Sequence, residues 1–191
     1  MKLHRQRILE ALSHCSPRAQ ALFAFLCAER LRGCCWMYQA VNGVNLKVFF
    51  HWSDVLFELL INREFTDVDV AKKAFQELMT IVPTGGEPLY VQAQSGMICL
   101  LTAFDILANG GQTTIKDAIN ATLDAEYNYY CHVRRRIKND ISVPDNFEFL
   151  KNEADRQVKD VAFVKNCEQS TRSDLIEYRI DNLQYAIPPA V

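Results

Sequence analysis

The sequence predicts an all-α fold, a single compact domain spanning 1–191, with about seven helices gathered around one buried helix near residues 89–109. Three observations carry this. Apolar residues recur at helical spacing along almost the whole chain. The 191 residues include only 7 Gly and 6 Pro, too few for an all-β chain, which needs a turn at roughly every ten residues. The chain is 49% hydrophobic and 23% charged, the balance of an ordinary globular protein rather than a disordered, collagenous or membrane-embedded one. A chain of this size buries about 70% of its extended surface, so one core holds without staples.

The elements follow in order. A first helix over 3–14 places Leu3, Ile8, Leu9 and Leu12 near one face. Ser16-Pro17 reads as N-cap and first position of a second helix of about 24 residues, stopped by Asn42-Gly43. A third, from 45 to 63, carries Leu46, Phe49, Phe50, Val55, Leu56, Leu59 and Leu60. Thr66-x-x-Asp69 resembles a capping box and opens a fourth, which ends before Pro83. The loop Pro83 to Pro88 precedes the central helix, apolar on nearly all sides from Leu89 to Asn109. Asn109-Gly110-Gly111 caps it, and Thr113 or Thr114 opens a sixth helix running to Asn139. After Val143-Pro144-Asp145 a longer, more polar helical stretch continues to Ala186 as the seventh helix, with Ser170-Thr171 the place where a break would fall. Met97 to Ala108, the longest apolar run, is too short and too polar to span a bilayer.

The formal charge of −2 and a pI of about 6.1 give no electrostatic footprint for nucleic acid. Charge is uneven: residues 1–50 are net +5 and residues 51–112 net −5, so opposite fields help the two parts pack or mark a partner surface. Seven cysteines, an odd number with no Cys-x-x-Cys and a vicinal Cys34–Cys35, read as small hydrophobes in a reducing, cytoplasmic setting.

Catalytic patterns are missing. The sequence holds no phosphate-binding glycine loop, no dinucleotide fingerprint and no nucleophile elbow. His51, Asp54 and Glu58 share a helix face, yet one helix cannot complete a metal sphere and no Glu-x-x-His occurs. No cofactor or metal is therefore expected. Tyr127 to Arg136 mixes aromatics with three arginines, as single-strand binders do, but a helix spreads consecutive arginines around its axis. Charge inside apolar helical surroundings stands out instead: Glu29 and Arg30 on the second helix, Asp54 and Glu58 on the third. Unpaired burial would cost several kcal/mol, so an Arg30 bridge to Asp54 or Glu58 is expected, as a structural pair or as the floor of a pocket.

Phe23 through Leu31, Trp36-Met37-Tyr38, Asp54-Val55-Leu56-Phe57-Glu58, and Phe75 with Ile81-Val82-Pro83 resemble the bacterial YjaG-like family, the domain of unknown function 416 (DUF416), in order and approximate spacing over residues 20–110. The resemblance implies a compact all-α domain. The family's Glu-Arg pair falls on Glu29-Arg30 and its acidic pair on Asp54 and Glu58. Ala93-Gln94-Ser95-Gly96-Met97 departs from the family, which has Pro and an Asp there, and the helices over 113–186 diverge further.

Three functions are compatible with these features. The first is a non-catalytic cytoplasmic module that binds another protein, most concretely an immunity-type inhibitor of a basic toxin domain encoded nearby. Its partner surface would use Glu87, Tyr90, Tyr127, Tyr130, Asp174, Glu177, Tyr178 and Asp181, since tyrosine gives contact area at low entropy cost and acids steer a basic partner. The second is a small enzyme with its polar site at Glu29, Arg30, Asp54 and Glu58. The third is a nucleic-acid-associated regulator using residues 127–138.

Overall fold

A computed structural model of the chain describes residues 2–62, 68–81, 83, 88–110, 114–138 and 150–190. Its described residues form helices α1 (Lys2–Ser13), α2 (Pro17–Arg30), α3 (Arg32–Asn42), α4 (Lys47–Asn62), α5 (Val68–Met79), α6 (Pro88–Asn109), α7 (Ile115–Lys138), α8 (Lys151–Val164) and α9 (Arg172–Leu183). No strand occurs among them. The Thr66 capping pattern, the cap at Gly111 and Thr113, Glu87 and the restart at Val143-Pro144-Asp145 lie outside the described residues, as do the side chains of Arg134, Arg135, Arg136 and Lys138.

Local signals set several helix ends. Ser16 accepts a hydrogen bond from the Ala19 N–H at 3.2 Å, with Pro17 in the first turn, which satisfies one of the donors that every helix start leaves open. Gly110 ends α6 at φ +65°, a left-handed conformation that a Cβ would strain. Thr171 and Asp174 form a reciprocal capping box that starts α9, so the long C-terminal stretch is two helices.

The expected second helix is also two. It breaks at Leu31, whose own N–H turns back to the Ala28 carbonyl at 3.0 Å. In a continuous helix the Arg30 carbonyl would accept from Cys34. Here it accepts the Ile187 N–H at 2.9 Å. Residues 186–190 form an irregular segment that packs at this break: the Cys34 thiol donates to the Ile187 carbonyl at 3.2 Å, and buried Gln92 donates to the Pro188 carbonyl at 2.8 Å while accepting from the Ala190 N–H at 2.7 Å. These two breaks raise the expected seven helices to nine among the described residues.

The core follows from α2 and α6. Every residue of α2 from Ala19 to Arg30 is buried, and α6 packs against α7, α2, α5, α3 and α4. Taken whole, α6 is long and apolar enough to cross a membrane, a length the expectation from Met97–Ala108 understated, but 67% of its apolar window is buried inside the fold. It is the central core helix. Its close approach to the α2–α3 junction depends on Gly96, where a Cβ would stand 2.9 Å from Cys35 Sγ and 3.2 Å from Leu31 Cβ. Gly96→Val should therefore cost about 1–3 kcal/mol by overpacking, read as a lower urea midpoint. Valine is the better probe because alanine's gain in helix propensity would mask the clash. An unchanged midpoint would show that the junction yields freely.

All seven cysteines are free. Burial pushes the Cys27 and Cys34 thiols up to about 12, which leaves them as inert packing groups.

Candidate functional site

The four polar residues singled out in the sequence do not form one cluster. Arg30 is fully buried and faces α8, not α4. Its Nε and Nη2 donate to the two carboxylate oxygens of Glu153 at 3.0 and 2.8 Å, a two-pronged pair, and Nη1 donates to Asp160 at 2.5 Å and to Asn182 at 3.0 Å. The expected bridge to Asp54 or Glu58 is thus corrected. Arg30 sits on the α8 side of α2, and two carboxylates there already meet its charge. Burial opposes the guanidinium charge, but Glu153 and Asp160 outweigh it and hold the Arg30 pKa well above its ordinary value.

Around this pair the network is dense. Gln157 donates to Thr122 at 2.8 Å and to Glu153 at 3.1 Å, and pairs with His4 at 2.9 Å. Tyr178 donates to Asp160 at 2.9 Å. Arg156 donates to Asn182 at 3.2 Å and to Asp181 at 3.2 Å, and its guanidinium stands between the rings of Tyr178 and Tyr185, at 4.9 and 4.3 Å from their centroids. Such a network stays rigid only while its members are satisfied.

Glu29 points the other way. It accepts from Ser53 at 2.6 Å, from Arg32 at 3.0 Å and from Arg179 at 2.8 Å. Asp54 joins the same group through Arg32 and Arg179, at 3.2 and 3.1 Å. Arg179 also lies 4.2 Å from the Phe57 ring centroid. Partial burial pushes the Asp54 carboxyl up, but bonds from Arg179 and Arg32 outweigh it and leave it below the usual range. Glu58 stands apart in an exposed pair with Arg172 at 3.2 Å. The His51 ring lies tilted against Trp52, centroids 5.1 Å apart, so His51, Asp54 and Glu58 have separate partners. Among the described residues no group of three His, Cys, Asp or Glu comes together to hold a metal.

Sequence reasoning missed Glu153, Arg156, Asp160 and Arg179. A signal existed: Glu153, Arg156, Gln157 and Asp160 occupy i, i+3, i+4 and i+7, the register of a buried helix face, and Val161 and Val164 continue it inward.

The expected partner residues scatter. Tyr90 packs toward Tyr38 with centroids 6.4 Å apart. Tyr178 stacks on Phe163 at 3.6 Å and belongs to the internal network. Asp174 serves the α9 cap and Asp181 holds Arg156. Tyr127 and Tyr130 are half-buried on α7, and Glu177 is exposed on α9.

Apolar exposure concentrates elsewhere. On α9 the buried positions are Leu175 and Asn182, while Ile176 (36%), Ile180 (60%) and Leu183 (44%) are exposed. Their spacing of i, i+4 and i+7 places them on one helix face. Leu183 and Trp36, itself 58% exposed, both line an open groove of about 560 Å³, together with Glu29, Arg32, Phe50 and Ala186.

The described residues thus define an all-helical domain built around one buried helix, with a buried ionic brace and an apolar outer face. No family model matches the chain, and no curated protein matches it. Among solved structures it is similar to a DUF416 family protein from Shewanella baltica OS155, with a TM-score of 0.70 at 14% identity, covering 92% of this chain and 96% of that one. The likeness is one of fold. At that level it bears out the resemblance to the DUF416 family, and it extends through the divergent C-terminal helices as well as residues 20–110.

Proposed function

We propose that this chain is a non-catalytic protein-binding module that works in the cytoplasm, and that its binding face is the α9 stripe Ile176–Ile180–Leu183 continued by Trp36. The observation that carries the reading is that stripe, because a helix normally turns such residues inward. Contiguous exposed apolar surface marks an interaction site far more often than scattered single residues do. The bound partner presents an apolar helix face flanked by basic groups, which the exposed Glu177 beside the stripe would meet. An immunity-type inhibitor of a basic toxin domain encoded nearby is the concrete form of this proposal. The polar residues at Glu29, Arg30, Asp54 and Glu58 are all taken up in ion pairs, which favours binding over the alternative of an enzyme using them.

The test is co-expression with the product of the neighbouring reading frame and titration of the purified pair. Trp36→Ala and Ile180→Glu should each weaken binding by about 2 kcal/mol or more, roughly thirtyfold. Both alter surface positions, so stability should stay within about 0.5 kcal/mol of the parent. Undiminished affinity in both variants would overturn the proposed face.

A further inference from the structure

A second cleft, of about 520 Å³, lies between α7, α8 and the C-terminal segment. Two of its lining residues carry a polar group with no hydrogen-bond partner among the described residues. Arg156 is 3% exposed, yet its Nη2 is buried with no hydrogen-bond acceptor, while its other nitrogens are engaged by Asn182, Asp181 and, at 3.3 Å, Asp160. Glu126, half-buried on α7, makes no hydrogen bond among the described residues. A buried donor left unsatisfied is costly, and in a folded protein strain, water, an ion or a ligand accounts for such a group. Lys159 adds a cation beside Tyr185, 5.3 Å from its ring centroid. On α8 the cleft is lined by Arg156 and Lys159 and by the carboxylates Glu153 and Asp155, of which Glu153 is taken up by Arg30, and on α7 by Glu126; its volume lies in the range of small-molecule sites.

We propose that this cleft binds a small zwitterion, an α-amino acid in its simplest form, with the carboxylate received by Arg156 and Lys159 and the ammonium by Glu126. Tyr129, Tyr185 and Ile187 line the same cleft and would take an apolar side chain. Nothing in this depends on the protein-binding face, which lies across the C-terminal segment.

The proposal carries a pH signature. Burial pushes Glu126 up to about 7, and the negative charge of Glu153 adds to the push. The other charged or titratable groups facing it are Tyr129 on α7, Asp155, Arg156 and Lys159 on α8, and Tyr185 on the C-terminal segment; Cys34 on α3 is coupled to it electrostatically. Glu126 must be ionised to hold an ammonium, so affinity should rise severalfold, up to about tenfold, from pH 6 to pH 8.

The test is isothermal calorimetry on the full chain with each of the standard L-amino acids at about 10 mM, supported by the concentration-dependent rise in melting temperature that binding produces. At least one amino acid should bind, while its des-amino acid and its decarboxylated amine should not. Glu126→Gln should weaken binding at least tenfold and abolish the pH dependence, and Lys159→Ala should weaken it severalfold. Glu126→Gln should fold normally, since the amide removes a charge that burial disfavours. Ile180→Glu should leave amino-acid binding unchanged, which separates this site from the protein-binding face. No binding by any amino acid, binding indifferent to Glu126→Gln, or affinity flat from pH 6 to 8 would each overturn the proposal.

Discussion

Arg30→Met should lower the unfolding free energy by about 3–5 kcal/mol, the usual cost of breaking a buried ion pair from one side. The size follows from what remains. Glu153 and Asp160, both at most 4% exposed, lose the cation that makes their burial tolerable, and Asn182 loses one of its donors. Methionine nearly fills the volume, so the penalty is electrostatic rather than a cavity. Adding Glu153→Gln and Asp160→Asn should recover much of the loss, because neutral amides carry no charge to desolvate. Urea unfolding of the single and triple variants measures both. A loss under about 1 kcal/mol for Arg30→Met would mean that water reaches the network and that α8 is not locked to α2 by charge.

Phe104→Ala should cost about 3–5 kcal/mol, the range for deleting a buried aromatic side chain. Phe104 is fully buried on α6 and meets Trp52 edge-on with centroids 5.8 Å apart. Removing it leaves a void on the helix that touches α2, α3, α4, α5 and α7, where rigid neighbours cannot collapse to fill it. Tryptophan fluorescence reports the same event. Trp52 is 5% exposed and Trp36 58%, so iodide should quench mainly the Trp36 component in both folded proteins, and the Trp52 component should become quenchable at a lower urea concentration in the variant. A stability change near zero would show that α6 is not the axis of the core.

Elements marked by local chemistry were legible in the sequence. Ser16-Pro17 capped a helix, Asn109-Gly110 ended one, and the apolar run at 89–109 became the buried core helix, because caps and amphipathicity act within a turn or two. The break at Leu31 was not legible. The nearest glycine, Gly33, lies inside the first turn of α3 and not in a left-handed conformation, and the break is coupled to a carbonyl that bonds to Ile187 at the far end of the chain. The partner of Arg30 was missed for a related reason. The sequence showed that the charge needed a partner, but the nearest helix in sequence was the wrong choice, since Glu153 and Asp160 lie 123 and 130 positions away. Tyr178 read as exposed because its helix is polar. Its ring stacks on Phe163 and its hydroxyl ends on Asp160, so an amphipathic side chain on a polar helix went inward. The reverse happened to Ile180, an apolar residue that the fold leaves outside.

The most direct test of the binding account is site-specific photo-crosslinking in the native host, with a photoreactive phenylalanine analogue placed in turn at Trp36, Ile180 and, as a control, the exposed Asp117 of α7. The account predicts one and the same protein adduct from positions 36 and 180, competed away by excess unlabelled parent protein, and none from position 117. Adducts absent from 36 and 180, or identical from all three positions, would contradict it.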